Sequence, residues 1–262
     1  MSDSPKLTLR DAQTCLEIVA ECRELGADAA AWHSHLLDRL RGLVGAQVAI
    51  GSNIKGFGEG KLEPVSLKRI GWATSSAEKL WNEYVSEVPV EQTPEYPRLI
   101  GFTGPIMTLS RDEIWDKGLW HRSAAFNERH KPAGVDDYII SLGRAPRQKI
   151  VHSVWLHRAV GEKAFTRREW WLIHLIHSQI STLIGGPLAS VAEPSVADLS
   201  PRQLQTLDRL LRGDSEKQIA GALKLSQATV HEYVTGLYRH FKVSSRGELM
   251  ARFVGRAAPR VE

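Results

Sequence analysis

His231, Glu232, Thr235 and Arg239 lie within one stretch, Leu225 to Phe241, that reads as a helix. At roughly 100° per residue they share a face with Ala228, opposite Val230, Val234, Leu237 and Phe241. An imidazole, a carboxylate, a hydroxyl and a guanidinium on one ridge both donate and accept hydrogen bonds. A ridge of that kind fits the major groove of duplex DNA, where base edges present donors and acceptors. Surface helices are commonly polar on one side as well, so the neighbouring elements decide what this face is for.

Those neighbours predict a four-helix unit. Ser200 caps a helix start, Pro201 takes its first position, and Gln203 stands where a capping box wants Glu or Gln. Leu204, Leu207, Leu210 and Leu211 form that helix's apolar face, and Gly213 ends it. Asp214 or Ser215 caps a short second helix carrying Ile219, Ala220 and Leu223. The turn Lys224-Leu225 follows, with Ser226 as the next N-cap and Thr229 three residues on. Ser245 and Glu248 open a last helix that turns Leu249, Met250, Phe253 and Val254 inward. Two helices joined by a tight turn, the second with a polar face, make a helix-turn-helix.

Leu199-Ser200-Pro201-Arg202, Gly213, Lys217, Ile219-Ala220, Leu223, Ser226, Thr229-Val230, Val234, Leu237, Lys242-Val243, Ser245-Arg246 and Leu249 together resemble the C-terminal domain of LuxR-type transcriptional regulators. The resemblance implies binding of double-stranded DNA by a homodimer, with the third helix in the major groove and the fourth often pairing the subunits. It places His231, Glu232 and Thr235 against bases. It puts Lys217, Thr229, Tyr233 and Arg239 near phosphates, with Ser226 and Ala228 at the same helix start. RNA polymerase is a further partner such a regulator implies. The family usually has Glu where Gln203 stands and Lys or Arg where His231 stands. Glu232 could accept from cytosine N4, and Gly236 inside the helix costs about 1 kcal/mol of helix propensity.

Charge agrees. Residues 199–262 hold eleven Lys and Arg against six Asp and Glu, a net +5, whereas the whole chain carries +4. The positive excess therefore lies in the segment expected to meet phosphate. A length of 262 residues predicts two domains, and 42% apolar with 24% charged residues is a globular composition. No run approaches the ~20 apolar residues of a membrane helix. Met1-Ser2-Asp3-Ser4-Pro5 does not read as a secretory signal, so a cytoplasmic chain is expected, with no membrane partner. Cys15 and Cys22 share a helix face seven residues apart, too far for a disulfide, and read as reduced.

Along the rest of the chain, residues 8–24 and 27–44 read as helices, the first capped by Thr8. Residues 47–51 form a short strand, 51–60 a glycine-rich turn, and 65–72 a second strand. Ser75 with Glu78, Ser110 with Glu113, and Thr166 with Glu169 each make a capping box. Residues 89–97 form an irregular crossing. Residues 135–142 and 150–156 read as antiparallel strands joined through Gly143-Arg144-Ala145-Pro146. Helix 167–184 is apolar almost all round and needs cover on more than one side, from the sheet and from a partner subunit. Residues 186–198, rich in Pro, Ala and Ser, read as the linker.

The order predicts a small α+β domain of GAF or PAS shape over 1–185, the linker over 186–198, and an all-α DNA-binding domain over 199–262. Leu109-Ser110-Arg111-Asp112, Trp120 through Phe126-Asn127-Glu128, Lys131-Pro132-Ala133-Gly134-Val135 and Phe165-Thr166-Arg167-Arg168-Glu169 resemble the GAF-like N-terminal domains of some LuxR-type regulators. Trp72, Trp81, Tyr84, Trp115, Trp120 and Trp155 could line a small-molecule effector pocket, with core packing as the alternative. Trp81 and Tyr84 resemble the aromatic pair of acyl-homoserine lactone receptors. The Asp-Pro expected after them is replaced by Pro94-Glu95-Tyr96-Pro97. His174 and His177 are three apart on a helix, but structural zinc wants four ligands, so they read as packed-face histidines and no metal is expected. No cofactor, nucleophile elbow, Walker loop, dinucleotide fingerprint or phospho-receiver pattern is present, and no catalytic residue is expected. The rival reading is an enzyme with its pocket in the N-terminal domain and the C-terminal helices as a protein-interaction module. A third is a constitutive DNA binder whose N-terminal domain only dimerises.

Overall fold

The computed structural model describes residues 7–57, 62–88, 92–116, 118–145, 149–191 and 193–256. The chain forms two compact units. One comprises residues 1–19 and 33–182, the other 20–32 and 183–262.

Helices α1 (Leu9–Glu24) and α2 (Ala29–Val44) come first. Thr8 Oγ1 accepts from Asp11 N at 3.2 Å, and Asp11 Oδ2 accepts from Thr8 N at 2.8 Å, as the expected cap requires. Strands β1 (Val48–Lys55) and β2 (Glu63–Ile70) follow, then α3 (Ser75–Glu87), α4 (Tyr96–Ile100), β3 (Ile106–Ser110) and α5 (Arg111–Ile114). A 3-10 turn (Trp120–Arg122) and a π-helical turn (Ala125–His130) lead into β4 (Val135–Ala145), β5 (Ile150–Ala159) and α6 (Arg167–Leu183). The five strands make one antiparallel sheet in the order β2-β1-β5-β4-β3.

Several expectations are corrected. The strand expected to stop at Gly51 runs on to Lys55, because Ser52, Asn53 and Ile54 pair with β2 on one side and β5 on the other; the glycine answers instead to α2, since a Cβ there would lie 2.2 Å from His33 Nε2. Gly58 and Gly60 of the expected turn lie outside the described residues. The N-cap of α3 is Thr74, whose hydroxyl accepts from Ala77 N at 3.1 Å, and not Ser75. Gly143, Arg144 and Ala145 continue β4 and pair with His152, Val151 and Ile150, so they are strand and not connection. The crossing at 89–97 ends in α4, and β3 pairs with β4 where no strand was expected. Five residues with Ser110 already committed to a cap carry too little alternation to announce β3.

Register divides the sheet into two chemical faces. Val48, Ile50, Trp155, His157, Tyr138, Ile140 and Leu142 share one face. Leu99, Phe102, Trp120 and Phe126 pack on it near Tyr138, and Trp81 and Ala133 near Val48. The other face meets α2 and α6. There His177 Nδ1 lies 2.7 Å from Ser141 Oγ, and a Cβ on Gly143 would meet Ser181 at 2.5 Å. Helix α6 buries Trp170, Leu172, Ile173, Ile176, His177, Ile180 and Ser181, about half its circumference, while Leu175 is exposed. Its side toward solvent is less apolar than expected.

The second unit holds α7 (Pro201–Leu211), α8 (Glu216–Leu223), α9 (Gln227–Phe241) and α10 (Arg246–Phe253). Leu207, Leu210, Ile219, Val230, Val234, Leu237, Phe241, Leu249 and Phe253 form its core. Val254, expected inward, is exposed because α10 ends at Phe253. Residues 186–198 are docked within this unit. Ala189 N donates to Gly26 O at 2.7 Å, Trp32 Nε1 donates to Ala189 O at 2.9 Å, and Arg256 pairs with Glu193 at 2.8 Å. A linker drawn from composition alone overlooks these bonds, since backbone pairing leaves no side-chain signature.

Candidate nucleic-acid interface

Three caps orient the helices of the second unit. Gln203 Oε1 accepts from Ser200 N at 3.0 Å while Ser200 Oγ accepts from Gln203 N, so Gln serves where Glu is usual. Ser215, not Asp214, caps α8 in a box with Gln218. Ser226 Oγ accepts from Thr229 N at 3.1 Å and starts α9. Between α8 and α9 the turn is tight because Lys224 takes a left-handed conformation, φ 54°, and Leu225 N reaches back to Ala220 O at 3.0 Å. Ile219 and Ala220 of α8 and Val230, Val234 and Leu237 of α9 then share one core, which fixes the angle between the two helices.

That burial turns the other side of α9 outward. Ala228, His231, Glu232 and Arg239 are exposed, as are Ser226 at the cap and Lys217 on α8; Thr229, Tyr233 and Thr235 are half-buried. The nine residues expected at an interface therefore lie on or beside one helix start and one helix face. Neither Lys217 nor Arg239 forms an ion pair among the described residues, which leaves both cations for an outside anion. Several arginines of the same unit are occupied. Arg209 holds Asp214 at 2.9 Å, Arg212 holds Asp208 at 2.9 Å, and Arg246 donates to the carbonyls of Leu210 and Asp214 at 2.9 and 2.8 Å. Glu216, at the start of α8, lies 3.2 Å from His231 Nδ1. Fifteen residues separate the two in sequence. Only the turn between the helices brings them together, so no local pattern could have announced the pair.

The aromatic residues expected at an effector pocket gather on one sheet face of the first unit. Trp81 is the centre of one group, with ring centroids 5.6 Å from Trp72, 5.6 Å from Tyr84, 5.0 Å from His130 and 5.2 Å from His157. Trp115 donates through Nε1 to Tyr138 Oη at 2.9 Å, and Tyr138 donates to Glu95 Oε1 at 2.6 Å. Trp155 lies between the groups, 6.3 Å from Tyr138 and 6.4 Å from His157. Burial raises the pKa of the Glu95 carboxyl, against the hydrogen bond from Tyr138. It lowers those of His130 and His157, the latter to about 3, so both rings are neutral. Glu95, in the Pro-Glu-Tyr-Pro run that replaces the expected Asp-Pro, is thus an inward polar group of this face.

His174 and His177 do not converge on a common point. His177 Nε2 faces His152 Nδ1 at 2.9 Å, whereas His174 Nδ1 faces Thr108 Oγ1 at 3.1 Å. Among the described residues no group of three or more His, Cys, Asp or Glu is arranged to hold a metal ion. No described helix is long and apolar enough to cross a membrane. Cys15 and Cys22 are not joined in a disulfide.

Residues 197–253 match the family model described as bacterial regulatory proteins, luxR family. The probable HTH-type transcriptional regulator GfsR of Streptomyces halstedii is 28% identical over 96 residues, covering 30% of this chain. The chain spans about 40% of the length of that curated relative. Among solved structures, SdiA in complex with octanoyl-rac-glycerol superposes with a TM-score of 0.43 at 11% identity, over 96% of this chain and 97% of that one. A VqmA–ligand–DNA complex from Vibrio cholerae superposes with a TM-score of 0.23 at 19% identity, over 48% of this chain and 50% of that one. The C-terminal helices of this chain are a helix-turn-helix domain of the luxR family of bacterial regulatory proteins.

Proposed function

We propose that the chain is a sequence-specific DNA-binding transcription regulator and not an enzyme. The observation that carries this reading is the outward face of α9, with Ala228, His231, Glu232, Thr235 and Arg239 on the second helix of a luxR-family helix-turn-helix. In this reading His231, Glu232 and Thr235 read base edges, while Lys217, Thr229, Tyr233 and Arg239 hold phosphates, and Ser226 and Ala228 set the helix start against the backbone. The DNA-binding domain runs over 199–262, residues 186–198 connect it, and residues 1–185 form a GAF/PAS-like sensor or dimerisation domain in the cytoplasm. One antiparallel sheet with helices on both faces supports that shape. The functional unit is a homodimer placing two α9 helices one turn of DNA apart, ~34 Å. A small-molecule effector on the face of Trp72, Trp81, Tyr84, Trp115 and Trp155 would bias how the helices are presented, and RNA polymerase would be the protein partner at the promoter.

Binding to genomic DNA fragments at two salt concentrations, with light scattering on the same sample, tests the reading. Specific binding by a dimer that weakens with salt is expected. A monomer with sub-micromolar affinity for one fragment would overturn the dimer. Binding that survives loss of both Thr235 and Arg239 side chains would overturn the assignment of α9.

A further inference from the structure

The contact between Glu216 and His231 carries a consequence for which bases α9 can read. His231 is exposed on the proposed base-reading face, and its Nδ1 lies 3.2 Å from Glu216 Oε2. A carboxylate accepts hydrogen bonds and does not donate them. In a neutral imidazole one ring nitrogen carries the proton and the other offers a lone pair, and the partner of one nitrogen decides the state of the other. Facing Glu216, Nδ1 carries the proton. Nε2, on the far side of the ring, is then an acceptor. In the major groove an acceptor pairs with the exocyclic amino group of adenine N6 or cytosine N4, and it repels guanine O6 and N7 and thymine O4.

We propose that Glu216 is a positioning residue that sets the tautomer of His231, so that His231 selects adenine or cytosine at one position of each half-site. This rests on the reading of α9 as the base-contacting helix. Glu216 suits the task because α8 and α9 share one core, with Ile219, Ala220, Val230 and Val234 in it, so the backbones that carry the carboxylate and the ring keep a fixed separation. Its own backbone is held in the first turn of α8 by the Ser215–Gln218 capping box, independently of His231. Glu216 makes no base contact in this scheme, since its effect passes through the ring. With the carboxylate gone, the ring is free to carry its proton on Nε2 and to donate to guanine.

The test is selection of bound duplexes from a pool with a random central segment, at about pH 8, above the ordinary titration range of imidazole. Wild type, Glu216→Ala, Glu216→Gln and His231→Ala are compared. Wild type is expected to enrich a two-fold symmetric site with adenine or cytosine in one column of each half. His231→Ala should lose the preference in that column alone. Glu216→Ala should lose it by roughly fivefold, the worth of one net hydrogen bond, with guanine gaining. Glu216→Gln should restore it only in part, because the amide oxygen still accepts from Nδ1 but the amide NH2 can donate to the other tautomer. A merely structural role for Glu216 would lower affinity equally at all columns. An enriched site whose columns are the same in wild type and Glu216→Ala overturns the inference and leaves DNA binding standing. Absence of any enriched site in wild type overturns both.

Discussion

His152 Nδ1 and His177 Nε2 lie 2.9 Å apart inside the first unit, with His177 Nδ1 a further 2.7 Å from Ser141 Oγ. Both rings are fully buried, and burial lowers their pKa values, that of His177 to about 3. His33 is lowered to about 4 and His157 to about 3 by the same cause, and His130 is lowered as well. All five are neutral in the fold and titrate near 6.5 when unfolded. The unfolded chain therefore binds more protons as pH falls below about 6.5. Stability is fully present above that value and is lost toward about 3, at up to about 1.4 kcal/mol per pH unit for each ring. Denaturant midpoints should fall steeply between about pH 7 and about pH 5. A midpoint that stays flat over that range would show that the rings do not enter the fold neutral.

Gly51→Ala should destabilise the first unit by about 2 kcal/mol or more. Its Cβ would lie 2.2 Å from His33 Nε2 and 3.1 Å from Leu37 Cδ1, and β1 and α2 would have to part. Gly236→Ala should do the opposite in the second unit. It would raise stability by about 0.5–1 kcal/mol, because the helix gains propensity and the nearest atom, Gln203 Nε2, stands at 3.4 Å. Thermal melts of the two variants should move in opposite directions.

Arg246→Ala should unfold the DNA-binding helices more readily without touching the proposed interface. The guanidinium donates to Leu210 O and Asp214 O, closing the end of α7 over the start of α10. Two charge-assisted bonds to carbonyls and their desolvated acceptors make a loss of about 2–3 kcal/mol the expectation. At temperatures where the variant stays folded, its affinity for DNA should match wild type.

Arg239→Ala and Glu232→Ala should weaken DNA binding in different ways. Loss of a phosphate contact at Arg239 should lower affinity for every duplex and reduce the slope of log K against log salt by about 1. Loss of Glu232 should relax one base preference and leave the salt slope unchanged. Measuring both slopes on one selected site and one unrelated duplex separates the two roles.

Tyr138→Phe should cost about 1–3 kcal/mol. It removes the 2.6 Å donor to the buried Glu95 carboxyl and the hydroxyl that accepts from Trp115 Nε1. Removing the carboxyl as well, in Tyr138→Phe with Glu95→Leu, should recover part of the loss, because an apolar pair leaves fewer polar groups unsatisfied.

The helical domain was legible in the sequence because its information is local. Ser200 with Gln203, Ser226 with Thr229, and the spacing of Val230, Val234, Leu237 and Phe241 act within a few residues of one another, and each caps or packs where its spacing predicts. The strands of β4 and β5 and the helix α6 were legible for the same reason. Tertiary structure alone decided what depends on contacts between distant segments. The extension of β1 past Gly51 follows from pairing with β5, about a hundred positions later in the chain. The strand β3 exists because β4 offers it hydrogen-bond partners. The docking of 186–198 rests on backbone groups of Gly26 and Ala189, which have no sequence signature. The pairing of Glu216 with His231 depends on the angle between two helices, set by the core that Ile219 and Val230 share. Local propensity and capping are written residue by residue. Register and side-chain partnership are settled only when apolar burial brings remote segments together.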